Sequence, residues 1–326
     1  MEKKSSAGGR IMGATAVGRR EVLLAGLLVA WGTLLAAGKQ TIASADEGKP
    51  SSIHVCVKEG GKVRIVAPSA TCRSTEKMEH WSITVAQGPP FPTTCPPDSV
   101  LTGTACLDKY EASLWRTTSP VVIQRIKEGT VTKANLTLAA ATQLGLASGD
   151  LAAAGCPASG TGCAGIFALS IPGVKPARFL TWFQAVATAR NAGKRLPTNV
   201  EWQAAALGTP DPGASPEAGD CNTKGDAPDL TGARANCVSG VGAFDMVGNV
   251  SEWVADWAPR SRVCGSELFS GTGDMNCLAG GDSSPGAGAL VRGGGFSSGA
   301  GAGIFAVDGR NPPSFEDGAL GFRAAR

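Results

Sequence analysis

The fold of this chain is decided in Gly242-Ala243-Phe244-Asp245-Met246-Val247-Gly248-Asn249-Val250-Ser251-Glu252-Trp253, where two carboxylates and two aromatic residues crowd around a Gly-Asn step. Downstream stand Val291-Arg292-Gly293-Gly294-Gly295-Phe296 and, just before Arg326, Gly321-Phe322-Arg323. Upstream stand Gly193-Lys194-Arg195-Leu196-Pro197-Thr198, then Glu201-Trp202 and Ala204-Ala205, and earlier Cys106-Leu107-Asp108-Lys109-Tyr110-Glu111. With 45 glycines and 20 prolines in 326 residues, most of the chain is expected to be loops around a few strands. Seven tryptophans and ten cysteines favour a packed, cross-linked domain over disorder.

Two helices are signalled by their caps. Thr181, with Gln184 three residues on, forms a capping box for a helix through Trp182, Phe183, Ala185, Val186 and Ala189, and Gly193 stops it. Thr198 and Glu201 repeat the device for Val200 to Leu207, stopped by Gly208. A further helix is expected from Leu136 to Leu146, inside an Ala- and Thr-rich insertion running from Val121 to Gly165.

The order and spacing of these segments resemble the formylglycine-generating enzymes, the sulfatase-modifying factors, over roughly Cys95 to Arg326. The resemblance implies an irregular, loop-rich α+β fold related to C-type lectins. In oxidising members, two cysteines after the Gly-Gly-Ser-Phe segment hold copper, a task suited to soft thiolates. Ser298 and Gly303 stand at those positions here, so no catalytic residue is assigned and no copper is expected. Ergothioneine-type relatives bind iron through histidines, and the chain has only His54 and His80, both before the domain begins, so no iron is expected either. The resemblance also implies structural Ca²⁺, held by the side chains of Asp245 and Glu252 and the carbonyls of Gly248 and Val250. Alternating oxygens on a tight turn suit a hard cation. A second calcium position would use Asn222 with Asp226 or Asp229.

The ten cysteines fall into sequential pairs: Cys56/Cys72, Cys95/Cys106, Cys156/Cys163, Cys221/Cys237 and Cys264/Cys277. Cys-x-x-Cys metal spacing is missing, so disulfides are expected. Loops of roughly 8 to 17 residues would each contribute about 2–3 kcal/mol. Arg10, Arg19 and Arg20, an apolar run from Val22 to Ala37 and Ala43-Ser44-Ala45 have the order of a signal peptide over residues 1–45. That implies export to a periplasmic or extracellular space, with an uncleaved N-terminal membrane anchor as the alternative. The twin arginine leaves the Tat route open beside Sec. Without that segment, 24 basic residues face 25 acidic ones, about −1, and nothing suggests nucleic-acid binding.

Residues 46–87 are expected to form a small module, a β-hairpin turned at Gly60-Gly61 and stapled by Cys56 and Cys72. A Pro-rich linker, residues 88–94, leads to a domain at 95–326. Arg292, Arg310 and Arg323 are expected to pair with buried carboxylates, Asp256 and Asp317 among them. Alternatively, Arg310 lines a ligand groove beside Ser297 and Ser298. Trp253 and Trp257 read as core aromatics, with sugar stacking as the other option. Taken together, these features predict a non-catalytic binding or structural module with a protein or glycan ligand, touching membrane only if the signal stays uncleaved. The alternative is a periplasmic oxidoreductase, either a cysteine-independent oxidase or a modifier of protein side chains.

Overall fold

A computed structural model describes residues 51–67, 69–83, 92–265, 272–278 and 283–326. The expected signal peptide and most of the Pro-rich linker lie outside the described residues. The chain divides into two compact units, Met1–Ala86 and Gln87–Arg326.

In the first unit, β1 (Ser51–Lys58) lies between β2 (Val63–Val66) and β3 (Glu76–Ile83), antiparallel to both. Gly60 and Gly61, both at positive φ, make the β1–β2 turn as expected. The hairpin is however only part of the module. All eight residues of β3 pair with β1, so the product is a three-stranded sheet, which satisfies both edges of β1.

The second unit opens with a two-stranded ribbon, β4 (Ser99–Thr102) and β5 (Ala105–Asp108). Next come β6 (Ser113–Arg116), α1 (Pro120–Glu128), α2 (Lys133–Leu138), β7 (Thr142–Leu144), α3 (Asp150–Ala153) and β8 (Ile166–Leu169), with the strands ordered β7-β6-β8. Two helices follow, α4 (Trp182–Asn191) and α5 (Asn199–Ala206). The chain then builds β9 (Ser251–Ser261), β10 (Asn276–Cys277), β11 (Ser283–Gly293), β12 (Gly303–Asp308) and β13 (Leu320–Phe322) into one sheet ordered β10-β12-β11-β9-β13. The result is a mixed, loop-rich structure with few helices and many strands.

Local chemistry explains the helices. Thr181 accepts the Gln184 amide while Gln184 returns to Thr181, and Thr198 and Glu201 do the same, so both capping boxes form. Gly193 and Gly208 follow these helices at positive φ. The helix expected from Leu136 to Leu146 is shorter and earlier. Thr132 and Asn135 cap α2, Ala140 takes a left-handed φ of 49° that ends it, and Thr142 to Leu144 pair with β6 instead.

One core cluster joins Leu114, Leu180, Trp253 and Phe322, placing α4 against the central sheet. Another packs Trp202 of α5 on Leu107, Met246 and Val307. Fully burying side chains of this size is worth about 1.5–3 kcal/mol each. A third cluster, Trp115, Ile126, Leu136 and Phe167, fixes the insertion. Lys194, after α4, is buried between Asp98 and Asp108 at 2.7 and 2.6 Å, and Arg326 closes on Asp98 at 2.8 Å. All five expected disulfides are formed: Cys56–Cys72, Cys95–Cys106, Cys156–Cys163, Cys221–Cys237 and Cys264–Cys277. They account for every cysteine. Such cross-linking fits an oxidising, extracytoplasmic environment. Among the described residues, no helix is long and apolar enough to cross a membrane.

Candidate functional site

The Asp245–Glu252 turn leads straight into β9, and its shape follows from its residues. Asp245 and Asn249 sit at left-handed φ of 58° and 56°, a region these two residue types tolerate. Gly248, at φ 76°, lies so close to the Asn222 carbonyl that a Cβ there would collide with it. The Asn249 amide then donates to that same carbonyl at 2.8 Å, and the Asn222 side chain donates to the carbonyl of Ala227 and to Asn249.

Beneath the turn lies a buried charge cluster. Glu252, 1 % exposed, accepts from Arg323 Nε at both oxygens (2.9 and 2.7 Å), from Arg323 Nη2 (2.6 Å) and from Trp202 Nε1 (2.7 Å). Glu111, fully buried, accepts from the Asn249 side chain at 2.5 Å and the Val250 amide at 2.9 Å. Asp245 accepts the Gly232 amide at 2.7 Å. Three carboxylates thus share one guanidinium. Burial pushes Glu111 well above the usual carboxylate range, with Asp245 and Glu252 adding to it. Burial likewise raises Asp245 to about 6. For Arg323, burial works against the charge, but Glu252 foremost, then Glu111 and Asp245, raise its pKa overall.

The calcium expected here meets a turn whose carboxylates are already engaged. A carboxylate offers about four acceptor positions, and three N–H groups of Arg323 and Trp202, one of them shared between both oxygens, already engage both oxygens of Glu252. In this conformation Glu252 therefore does not fit as the calcium ligand that would complete a cage with Asp245, Gly248, Val250 and Asn222, because Arg323 supplies the positive charge beside it. Asp226 is exposed, and Asp229 pairs with Arg234 at 2.5 Å. Among the described residues, the only trio of acidic, thiol or imidazole groups drawn together is Cys56, Cys72 and Glu76, whose sulfurs are joined.

One disulfide flanks this turn. Cys221 and Cys237 pack with Val247 and Ala302 beside it. Cys163 forms the expected disulfide with Cys156, away from this cluster. It lies in the core cluster with Leu151, Ile166 and Ala189, and its carbonyl accepts the Asn191 side-chain amide at 2.8 Å. The bond spans seven residues and closes the loop between α3 and β8 on itself, and Gln184 and Asn191 of α4 hold that loop by donating to the Cys156 and Cys163 carbonyls. Its role is that of a staple.

The glycine-rich segment is pinned rather than open. Phe296 donates its amide to Asn249, Gly299 to Thr223, and Gly225 to the Phe296 carbonyl. The Ser298 hydroxyl accepts the Gly295 amide at 3.0 Å. At Gly303, a Cβ would fall well inside contact distance of the whole Asp274 carboxyl group, which is fully buried and accepts the Phe305 amide at 2.7 Å. This pair of positions therefore does not fit a thiolate metal site.

Arg310 and Arg323 pair with buried carboxylates as expected, but with Asp308 and Glu252 rather than Asp256 and Asp317. Arg310 clamps Asp308, Arg323 takes Glu252, and Arg292 donates to Gln203 and the Ile304 and Phe305 carbonyls while lying over the Trp202 ring at 4.8 Å. Burial lowers Arg292 to about 10. Asp256 and Asp317 accept backbone amides, of Asn199 and Ala319 respectively, because each faces a turn rather than a guanidinium. Trp253 is core, whereas Trp257 is 46 % exposed and stands against Trp182 and Phe183. A groove does include Arg310, but Ser251, Arg260 and Asn311 line it rather than Ser297 and Ser298. Glu111, Asp274 and Arg260 escaped sequence reasoning. Glu111 was within a quoted segment, but nothing local pointed it at Asn249.

Comparison with known proteins supplies the family. Hercynine oxygenase of Mycolicibacterium smegmatis is 36% identical over 132 residues, covering 34% of this chain and 31% of that protein. Formylglycine-generating enzyme of Thermomonospora curvata is 33% identical over 105 residues, covering 25% and 33%. The chain thus spans about a third of the length of these curated relatives. Among solved structures, the Major Tropism Determinant P3c variant matches with a TM-score of 0.42 and 19% identity, over 85% of this chain and 72% of that one. The model of the sulfatase-modifying factor enzyme 1-like domain matches residues 124–326, a span that holds the turn, the pinned glycine segment and Arg323. By that match, this chain belongs to the family of sulfatase-modifying factor enzyme 1-like domains.

Proposed function

We propose that this chain is an exported, non-oxidising member of its family that works as a binding module for a protein or glycan ligand. The observation that carries the reading is the glycine-rich segment. Ser298 is committed to Gly295, Asp274 fills the space a side chain at Gly303 would need, and all ten cysteines are paired. Copper thus has no thiolate to bind. The second unit also lacks histidine, which removes the usual general base for a serine nucleophile. Export is supported by the signal-like residues 1–45 and by the disulfides.

A second reading, an oxygen-dependent oxidoreductase, is favoured by the names of the relatives, hercynine oxygenase and formylglycine-generating enzyme. One experiment separates the two. Protein purified natively from an oxidising compartment is assayed for metal content and oxygen uptake with thiol and peptide substrates. Sub-stoichiometric copper and iron with no uptake is the expected result. Stoichiometric copper or iron with oxygen consumption would sink the binding-module reading.

A further inference from the structure

A groove of about 640 Å³ opens between the sheet, at β9, β11 and β13, and the segment from Asp308 to Leu320. Ligand sites usually have volumes of ~300–1,000 Å³. Three arginines line it, Arg260, Arg262 and Arg310, against two carboxylates, Asp308 and Asp317. Arg310 neutralises Asp308 through contacts of 2.7 to 3.2 Å. Arg260 donates Nε to the Arg310 carbonyl at 2.8 Å, and its Nη atoms have no partner among the described residues. The wall also carries the hydroxyls of Ser251 and Ser261, the amide of Asn311 and the ring of Phe315, 36 % exposed. Close by, the Asn311 carbonyl accepts the amide of Ala289, whose cross-strand neighbour is Trp257. The Trp257 ring is held edge-on by Trp182 and Phe183, at 5.0 and 6.2 Å between centroids.

We propose that this groove binds an acidic saccharide, a sugar carrying a carboxylate or sulfate, with Arg260 as its anion-recognising residue. This deepens the binding-module reading and rests on it. Each wall group matches one part of such a ligand. A guanidinium with uncommitted Nη atoms presents two parallel donors to an oxyanion. Serine hydroxyls and an asparagine amide match the donor and acceptor pattern of sugar hydroxyls. The partly exposed ring of Phe315 suits the apolar face of a pyranose ring, and Trp257, outside the lining, is the nearby exposed aromatic residue. A peptide carboxylate would satisfy Arg260 but would leave the aromatic and hydroxyl groups unused.

The test is calorimetric titration of the full chain at about 0.1 M salt, where groove charges are still felt. The probes are a heparin-derived hexasaccharide, a galacturonate hexamer, maltohexaose and hexaglutamate. At least one acidic hexasaccharide should bind about tenfold or more tightly than maltohexaose and hexaglutamate. Arg260→Ala and Phe315→Ala should each weaken it by about tenfold, with Arg260→Lys keeping part of the affinity and Arg125→Ala, on α1, leaving it unchanged. Unfolding curves confirm that each variant is folded. Equal binding of maltohexaose or hexaglutamate, no binding of either acidic sugar, or an indifferent Arg260→Ala would overturn the proposal. Absent sugar binding in a preparation without redox metal or oxygen uptake removes only this ligand class. Oxygen uptake with stoichiometric metal removes the underlying reading instead.

Discussion

Replacing Arg323 with methionine strikes the centre of the buried cluster. The side chain is fully buried and gives Glu252 three of its four donor contacts, while also donating to the carbonyls of Asp108, Lys109 and Phe244. Methionine roughly keeps the length and removes the charge. Glu252 is then left with Trp202 alone, beside Glu111 and Asp245. Removing one partner of a buried ion pair costs about 3–5 kcal/mol. In a domain of this size each kcal/mol moves Tm by about 2–4 °C, so a fall of about 6–20 °C is expected. Thermal unfolding followed by near-ultraviolet circular dichroism, in non-reducing buffer with chelator or with millimolar calcium, measures it. The wild-type Tm should be the same in both buffers, because Arg323 holds the place a cation would take. Adding Glu252→Gln to Arg323→Met should recover part of the loss, since no unpaired charge remains. A loss below about 1 kcal/mol, or a clear rise of the wild-type Tm with calcium, would refute the reasoning.

Acidity offers an independent check on the same cluster. Asp245 and Asp108 are raised to about 6, and Glu111 is raised as well, all chiefly by burial. Carboxyls with raised folded pKa values stabilise the fold fully below their unfolded values near ~4, and that stabilisation is lost as pH climbs through about 6. Lowering the pH from about 7 to about 5 should therefore raise Tm, and Asp245→Asn should flatten that slope; a slope unchanged in the variant would contradict the assignment. Asp98 and Glu201 are lowered instead, so their contributions fade only in stronger acid, below the ordinary range of ~4. Gly303→Cys should cost about 1–3 kcal/mol by driving a Cβ into Asp274, and Asp274→Ala in the same chain should relieve much of it, as denaturant midpoints would reveal. Ser298→Cys, in looser surroundings, should be tolerated and titrate as one added thiol. Converting Cys221 and Cys237 together to alanine should cost about 3 kcal/mol, read as a lower urea midpoint with a somewhat steeper slope, because the unfolded chain is less constrained.

What could be read from the chain was what is local. The disulfides span 7 to 16 residues, and both capping boxes lie within four, so spacing alone identified them. The family segments located the turn, the glycine-rich loop and Arg323. Long-range choices were hidden. Arg323 meets Glu252 across 71 positions, and Glu111 reaches Asn249 across 138; no periodicity announces either pairing. Spacing paired Cys163 with Cys156 but could not say that this pair would sit apart from the turn while Cys221 and Cys237 flank it. Asp256 and Asp317 were reasonable partners by charge, yet each sits where a backbone amide reaches it first. The pairing of β3 with β1 was missed because residues 67 to 75 separate it from the hairpin, so no tight two-residue turn joins it to β2. The groove was half legible: Arg310 was expected there, but Arg260 joins it only because β9 runs on for eleven residues.

The disulfides also imply a sequence of events. Each joins a cysteine to the next one along the chain, and no two pairs interleave. A chain that appears from its N-terminus onward therefore shows every thiol its proper partner before the following pair emerges. Oxidation in order of appearance yields the native set directly, leaving an isomerase nothing to undo. The central sheet keeps the opposite schedule. Strand β13 must arrive to lie beside β9, and Arg326 must reach back to Asp98, so closure waits for residue 326. Under that order of appearance the covalent frame precedes the core, which closes inside it.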